Sequence, residues 1–419
     1  MKLKELILHN RFLRFGFLLT ALQISGGALG YFYQILMGRL LLPVEFALFS
    51  SVMALVMFTS APLSAMSMLI VRRISALKAH NSLLFLRSIF FQINKILFII
   101  GIFVFFLFWI AKPYLQHYLK VDDSSVIDLF SVIVLFSIFH IAVLAFFQGL
   151  QRFIFLGVLG LSGVFCKILI SFGLIKSGLG VEGALFGVFL AIVLIYLIAT
   201  TVLLCSLPPQ ITHKDFVVNF STVKRIIPVL VAATTFSALT QLDMAIVNWY
   251  FDSSEAGLYA AASVLGKAVL YLPGGLILVL FPMVSENHAK GTESFGVLRQ
   301  AVITTILVCG FISLLYWLYG DLIIAIFYGE GYKGAGKILS WYGISILPLA
   351  VILVAEHYLI ARGRTLFAWL FLFILPVELT AIYFWHSEIW MILLIMGGFG
   401  LLLAIVGCLL IWRSANEQN

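Results

Sequence analysis

Long, nearly continuous apolar runs fill this sequence, and they restrict the chain to a fold inside a lipid bilayer. Of its 419 residues, 63% are hydrophobic and only 11% are charged, and the mean hydropathy is +1.14. A helix needs about 20 apolar residues to cross a bilayer, so roughly twelve crossings use up the chain. The predicted spans are 15–37, 46–70, 95–111, 125–149, 154–176, 181–206, 226–250, 258–283, 297–318, 338–361, 366–385 and 388–412. The sequence therefore predicts an all-α integral membrane protein of about twelve transmembrane helices.

Several function classes are excluded by what the sequence lacks. It has no GxSxG, HExxH or complete GxxxxGK(S/T) motif, which hydrolases and ATP-driven transporters require. The four cysteines are far apart and show no CxxC spacing, so we expect neither a disulfide framework nor a metal site. The net charge of +8 is spread over alternate loops, which argues against a nucleic acid partner. We expect a protein that is not an enzyme and uses no cofactor.

The basic residues indicate how the chain is oriented. With a cytoplasmic N-terminus, most of the 26 lysines and arginines fall in loops on the cytoplasmic side. The positive-inside rule then places both termini in the cytoplasm, in agreement with an even number of spans. The basic start Met1–Arg14 precedes an apolar run without a cleavage site, so we interpret it as part of a retained first helix. The longest predicted connections, Val71–Asn94 and Leu207–Arg225, reach only about 20 residues.

Two short sequence matches indicate an internal duplication. Glu45–Ser50 leads into the second span, and Glu255–Ala260 leads into the eighth about 210 residues later. Gln148–Phe153 after span four and Ala361–Leu366 after span ten are separated by nearly the same distance. The alternative is that Gly and Arg are simply common in tight cytoplasmic turns. Because six spans restore the orientation, we expect parallel repeats. The predicted parts are a six-helix bundle at 1–206, a cytoplasmic linker at 207–225 and a six-helix bundle at 226–419.

The stretches Gly38–Phe49 and Gln148–Phe153, with the twelve-span layout, resemble the multidrug/oligosaccharidyl-lipid/polysaccharide (MOP) exporter superfamily. Within it, the pattern is similar to the polysaccharide transporters, which include O-antigen and capsule repeat-unit flippases. The resemblance implies two six-helix bundles around a central cavity that opens alternately to the two sides. It also implies a flippase that moves undecaprenyl-diphosphate-linked oligosaccharide from the cytoplasmic to the periplasmic leaflet of a bacterial inner membrane. Coupling to a proton or sodium gradient and cooperation with surface-polysaccharide assembly proteins are further expectations.

Basic residues inside the membrane are the first candidates for binding a diphosphate-linked glycan. Lys167 and Lys267 lie within predicted spans, where a lipid-exposed charge costs roughly 2.5–3.5 kcal/mol, so both are expected to face water or a partner. Arg39, at the outer end of the first span, can bind a phosphate through its bidentate fork. We predict that these three residues bind substrate. The alternatives are snorkelling or an ion pair for the lysines, and interfacial anchoring for Arg39.

Three carboxylates inside spans are candidates for ion coupling, because a carboxylate in the membrane can carry a proton through an alternating-access cycle. Asp243 is the preferred candidate, since nearby Gln241 gives its helix a polar sector; the alternative is a static pair with Lys267. Glu356 lies near a cytoplasmic helix end, where interfacial solvation is the alternative. Glu378 follows a proline, where a broken helix would expose carbonyl groups.

Glycines and prolines within the spans are candidate hinges for a rocking motion. The first span contains Gly26 and Gly27, the second contains Pro62, and the eighth contains Pro273 and Gly274. Proline removes a helix hydrogen bond, and glycine permits bending. The alternative is ordinary close packing by small residues.

Two competing functions fit the same composition. A drug/cation antiporter of the same superfamily would need an anionic or aromatic cavity, and Asp243 and Glu356 keep that interpretation open. A membrane-embedded glycan polymerase or ligase would also handle undecaprenyl-linked sugars. Such enzymes generally have a large outer loop, whereas the predicted outer loop Tyr319–Lys337 is below about 20 residues.

Overall fold

The protein is all-helical. Its structure, a computed structural model, describes residues 11–79, 83–121, 123–208, 220–277, 280, 284, 295–362 and 366–416, and these contain no β-strand. The long helices are α1 (Arg11–Leu40), α2 (Pro43–Ala79), α3 (Leu86–Leu119), α4 (Ser125–Gly149), α5 (Phe153–Leu174), α6 (Gly180–Ser206), α7 (Phe220–Tyr250), α8 (Ser253–Tyr271), α9 (Phe295–Phe327), α10 (Ala335–Ala361), α11 (Leu366–Phe384) and α12 (Ile389–Asn416). The predicted all-α fold is confirmed.

The helices are long and apolar enough for a membrane protein. Within the described residues, ten stretches have the length and hydropathy needed to cross a bilayer. One of them, Phe153–Ser206, contains both α5 and α6 and therefore accounts for two crossings. Helix α1, which carries the polar residues Gln23 and Gln34, is not among the ten. The chain is a multi-pass membrane protein.

The predicted connection Val71–Asn94 is largely helical in its described residues. Helix α2 continues to Ala79, and α3 already begins at Leu86. The helix continues because Ile74 and Leu77 repeat the apolar spacing of the span and are buried, although basic residues flank them. A hydropathy scan ends a span at the first charges, but a helix extends as long as one face packs against its neighbours. The predicted linker at 207–225 overlaps α7, and residues 209–219 lie outside the described residues.

A tight reversal joins α5 to α6. A short π-helical turn, Ile175–Leu179, separates the two helices. Gly178 within it has φ +94°, and Gly180 directly after it has φ +45°. Residues with a Cβ rarely adopt this left-handed region, so the two glycines allow the chain to turn back within a few residues. The predicted boundary between spans 154–176 and 181–206 is thereby confirmed.

The chain divides into two compact units. The first contains Met1–Leu41 and Thr59–Val223, and the second contains Leu42–Phe58 and Lys224–Asn419. Helix α2 is shared: its first part belongs to the second unit and the remainder to the first. The division into bundles at 1–206 and 226–419 stays a prediction.

The first unit has an aliphatic and aromatic core that explains the motif Gln148–Phe153. The rings of Phe90 and Phe146 meet edge to face with centroids 5.2 Å apart. At the end of α4, a Cβ on Gly149 would lie 2.6 Å from the Cβ of Ile74, so only glycine fits. Lys78 on α2 donates to the carbonyl oxygen of Leu150 at 2.7 Å. These contacts provide packing and a hydrogen-bond donor for a carbonyl group at the end of α4, and they give the motif a structural role.

The second unit packs its helices through small and hydroxyl-bearing residues. Ser313 on α9 donates to the carbonyl oxygen of Gly343 on α10 at 2.7 Å. Tyr316 on α9 donates to the carbonyl oxygen of Leu265 on α8 at 2.9 Å. Small residues let helix backbones approach closely, and hydroxyl groups then bond across the contact. Helices α8, α9 and α10 therefore form a close-packed group that positions the side chains described next.

The start of α2 packs within this second unit. The ring of Phe46 lies 5.7 Å from that of Tyr328 and 6.1 Å from that of Tyr332, measured between centroids. On α8, a Cβ at Gly257 would lie 2.3 Å from the carbonyl oxygen of Pro43. The two segments that matched in sequence, Glu45–Ser50 and Glu255–Ala260, thus begin helices whose first turns are in close contact.

Candidate functional site

A buried ion pair lies inside the second unit. The Nζ atom of Lys267 on α8 is 3.0 Å from Oδ1 of Asp243 on α7. The side chain of Asp243 is 1% exposed and that of Lys267 is 11% exposed. Two charges removed from water to this extent are stable only with close mutual contact and further hydrogen bonds. The static pair weighed as an alternative for Asp243 is the arrangement in this structure.

Two tyrosines complete the shell of the Asp243 carboxylate. The hydroxyl of Tyr259 on α8 donates to Oδ2 at 2.9 Å, and the hydroxyl of Tyr342 on α10 donates to the same atom at 2.7 Å. Both tyrosines are fully buried. Lys267 also donates to Oε1 of Gln241 at 3.3 Å. Each carboxylate oxygen therefore accepts at least one hydrogen bond, and side chains from α7, α8 and α10 form this group.

Local sequence on α8 explains why the cluster forms. Tyr259 and Lys267 are separated by a little over two helical turns, so they line neighbouring parts of one helix face. Between them, Gly266 lets the ring of Tyr342 approach: a Cβ at that position would lie 2.2 Å from Cδ1 of the ring. The tyrosine can then reach Asp243 on α7. We call Asp243, Lys267, Gln241, Tyr259 and Tyr342 the α7–α8–α10 cluster.

The two other predicted carboxylates are also buried in the second unit. Glu378 on α11 is 5% exposed and interacts electrostatically with Asp243. Helix α11 is unbroken around it, so the broken helix considered for this position is absent from that segment. Glu356 on α10 is 5% exposed as well, which excludes interfacial solvation in this structure.

Apolar side chains surround Glu356. They come from α7, α10 and α11 and include Val229, Leu359 and Phe367. Among the described residues, no hydrogen-bond or ion-pair partner contacts its carboxylate. Its neighbour His357 bonds instead to the carbonyl oxygen of Leu353, at 2.8 Å. Glu356 is thus an isolated acid in an apolar environment, in contrast to Asp243.

Lys167 lies in the first unit, on α5. Its Nζ atom is 4.1 Å from the ring centroid of Tyr33 on α1, which is a cation–π contact. The hydroxyls of Tyr33 and Ser171 are 3.2 Å apart, and Ser171 donates to the carbonyl oxygen of Ala184 at 3.1 Å. Within the described part of the chain, Lys167 has no carboxylate at salt-bridge distance. Its positive charge is therefore not neutralised by a neighbouring acid.

The remaining predicted site residues are dispersed. Arg39 is exposed at the last turn of α1. Gly26 and Gly27 lie within α1, and Pro62 lies within α2, with no interruption of either helix. At Pro273 and Gly274, by contrast, α8 ends at Tyr271 and a turn at 272–273 precedes renewed helix at 274–277. The structure thus brings Asp243, Lys267 and Glu378 into one unit and leaves Lys167 in the other.

Sequence reasoning missed the tyrosines. Tyr259, Tyr342 and Tyr33 determine the surroundings of both lysines, yet none was a candidate. A signal was present, because a buried tyrosine hydroxyl usually needs a hydrogen-bond partner and these tyrosines lie in otherwise apolar spans.

Comparison with solved structures gives the same fold for most of the chain. The chain is similar to the inward-facing conformation of a multidrug resistance MATE family transporter of the MOP superfamily, at 14% identity, with a TM-score of 0.77, covering 94% of this chain and 95% of that one. It is also similar to the lipid II flippase MurJ in an inward closed conformation, at 13% identity, with a TM-score of 0.71, covering 94% and 87%.

A third similar structure is a MOP superfamily transporter from Pyrococcus furiosus, whose reversed binding-pocket polarity is said to suggest a different function. The identity is 15% and the TM-score 0.64, and 96% of this chain and 94% of that one are covered. At these identities the similarities show the fold alone. No curated protein matches the chain by sequence.

The sequence itself gives a family assignment. The family model for polysaccharide biosynthesis proteins matches residues 36–336, well over half of the chain. The fold shared with MOP transporters agrees with that match. This multi-pass membrane protein therefore belongs to the polysaccharide biosynthesis protein family.

Proposed function

We propose that this protein is a flippase that moves undecaprenyl-diphosphate-linked oligosaccharide from the cytoplasmic to the periplasmic leaflet of a bacterial inner membrane by alternating access. The family match carries the proposal, since it joins a transporter fold to polysaccharide biosynthesis. The similarity to a lipid II flippase supports a lipid-linked cargo. Both termini then lie in the cytoplasm, as the distribution of basic residues predicts.

Lys167 is the basic residue best suited to the diphosphate. Its ammonium group is held above the Tyr33 ring and is not paired with any described carboxylate. A lysine positioned in this way can bind a phosphate oxygen without first breaking an ion pair. Lys267, by comparison, would have to leave Asp243 and Gln241. We therefore assign substrate binding to Lys167 and a positioning role to Lys267; Arg39 remains a candidate at the end of α1.

Glu356 is the carboxylate best suited to proton coupling. A coupling acid must exchange its proton during the cycle, and Asp243 is bonded by one lysine and two tyrosines. Glu356 lies in an apolar environment without such partners among the described residues. Glu378, close to the charge of Asp243, is the second candidate.

A comparison of two lysines in the native host tests the function. The gene is deleted and replaced by wild type, Lys167→Gln or Lys176→Gln. Lys176 is a matched control because it follows the same helix, is exposed, and lies 5.9 Å from the ring centroid of Phe172. Undecaprenyl-diphosphate-linked oligosaccharide in the cells and polysaccharide on their surface are then measured.

We expect deletion to cause the lipid-linked intermediate to accumulate, and Lys176→Gln to restore wild-type levels. Lys167→Gln should lower the rate at which lipid-linked oligosaccharide is translocated on the order of tenfold or more, because a charged hydrogen bond to phosphate is lost. Normal intermediate levels in the deletion strain would contradict the proposal. Efflux of a cationic dye by wild type would instead favour the antiporter, and joining of glycans by the purified protein would favour the polymerase or ligase.

A further inference from the structure

The α2–α3 hairpin carries a concentrated positive charge at the end where its two helices are joined. Arg72 and Arg73 lie in α2, and Arg87 and Lys95 lie in α3. Between Glu45 and Asp122 the sequence contains no acidic residue at all. No carboxylate from the hairpin itself can therefore neutralise these charges. We call this region the basic hairpin end.

Two of its arginines have buried nitrogen atoms without partners. The Nε atoms of Arg73 and Arg87 are both inaccessible and have no hydrogen-bond partner. Arginine donors are charged, and a buried charged donor is unfavourable unless it is bonded. The guanidinium fork matches the geometry of phosphate oxygens. Neighbouring Lys78 is different, because its Nζ atom already donates a hydrogen bond to the carbonyl oxygen of Leu150.

The same unit contains an apolar cavity. Its volume is about 140 Å³, and α2, α3 and α4 line it with residues such as Ile70, Leu97 and Ile138. Ile70 is one helical turn before Arg73 on α2. An engineered apolar cavity of about 150 Å³ stays dry and binds benzene. The cavity on this hairpin is therefore large enough for part of one hydrocarbon chain.

From this arrangement we infer a binding site for an anionic phospholipid. The phosphate group bonds to Arg73 and Arg87, and one acyl chain enters the cavity. The charge selects the occupant: basic pockets between transmembrane helices attract anionic headgroups. The membrane supplies such lipids on both faces, so the inference does not depend on the orientation of the chain.

Native mass spectrometry of the full-length protein in neutral detergent tests the site. Dioleoyl phosphatidylglycerol and dioleoyl phosphatidylcholine are added separately to wild type, Arg73→Gln/Arg87→Gln and Arg72→Gln/Lys95→Gln. The last variant is the matched control, because it removes the same charge from exposed positions of the same helices. Ala142→Phe, which fills the cavity from α4, separately tests the contribution of the acyl chain to binding.

Wild type is expected to retain phosphatidylglycerol in preference to phosphatidylcholine. Each basic residue near an anionic lipid contributes on the order of fivefold in affinity, so Arg73→Gln/Arg87→Gln should lower retention by about 25-fold. The control should lose much less, and Ala142→Phe should lose retention while both arginines remain. Since the Nε atoms of both arginines make no hydrogen bond in this structure, the melting temperature of Arg73→Gln/Arg87→Gln should stay near that of wild type.

Three results would overturn the inference. Equal losses in the two double variants would mean a general charge effect. Displacement of the lipid by inorganic phosphate would mean that the acyl chain contributes nothing to binding. Preferential retention of undecaprenyl phosphate over phosphatidylglycerol would assign the site to the lipid carrier of the substrate. None of these outcomes requires or excludes translocation, so the inference and the proposed function can fail separately.

Discussion

Replacing Lys267 by methionine tests the structural role of the buried ion pair. The substitution keeps the length of the side chain but leaves the carboxylate of Asp243 without its cation. Breaking a buried pair in this way costs about 3–5 kcal/mol, because the remaining charge is uncompensated. The contact is short, at 3.0 Å, and the Asp243 side chain is 1% exposed, so the upper part of that range applies.

The matched control is the ion pair between Lys112 and Asp128. Its nitrogen–oxygen distance is 2.7 Å, but the side chains are 21% and 52% exposed. Exposed pairs contribute about 0–1 kcal/mol, so Lys112→Met should change stability little. A further variant, Asp243→Asn/Lys267→Met, removes both charges and should recover most of the loss, since neutral replacement of a buried pair is often tolerated.

The assay is reversible unfolding in mixed detergent micelles with an increasing fraction of dodecyl sulfate, followed by tryptophan fluorescence. The free energy of unfolding is compared among wild type, Lys267→Met, the double variant and Lys112→Met. The reasoning would be refuted if Lys267→Met were as stable as Lys112→Met. It would also be refuted if the double variant were less stable than Lys267→Met alone.

Three further predictions concern the same unit. Gly266→Ala should lower the free energy of unfolding by about 1–3 kcal/mol, because its Cβ would lie 2.2 Å from the Tyr342 ring. Gly310→Ala, whose Cβ would have no neighbour within 4 Å, should not lower it. Equal effects of the two substitutions in the same unfolding assay would contradict the packing argument. Tyr342→Phe removes a donor 2.7 Å from Oδ2 of Asp243 and should cost about 1.5–3 kcal/mol; a loss below about 0.5 kcal/mol would count against that bond. Glu356→Gln should leave stability within about 1 kcal/mol of wild type, since no described partner is lost, yet should make transport in proteoliposomes insensitive to an imposed proton gradient. Retained gradient dependence in that variant would remove Glu356 from the coupling role.

The membrane fold was predictable because the bilayer imposes a simple length requirement. About 20 apolar residues per crossing locate a span whatever its neighbours are. The same rule cannot locate helix ends outside the membrane. The extension of α2 through Ile74 and Leu77 depends on packing against other helices, which hydropathy does not report.

The candidate site was predictable only in part. Asp243 and Lys267 stood out as rare charges in apolar spans, and their helices are joined by a very short connection, so a pair was a reasonable alternative. Tyr342 lies 99 residues from Asp243 in sequence, and its contribution required the three-dimensional arrangement of α10. The isolation of Glu356 likewise depends on side chains from α7 and α11, which no local pattern specifies.

The most direct test of the proposed function is translocation by the purified protein alone. Proteoliposomes containing undecaprenyl-diphosphate-linked oligosaccharide in both leaflets are treated with a membrane-impermeant glycosidase, and the fraction of lipid cleaved is measured over time. We predict that cleavage proceeds beyond the outer-leaflet fraction with wild type, and markedly more slowly with Lys167→Gln than with Lys176→Gln. Cleavage that stops at the outer-leaflet fraction with wild-type protein, in vesicles supplied with a proton or sodium gradient, would contradict the assignment as a flippase for this lipid.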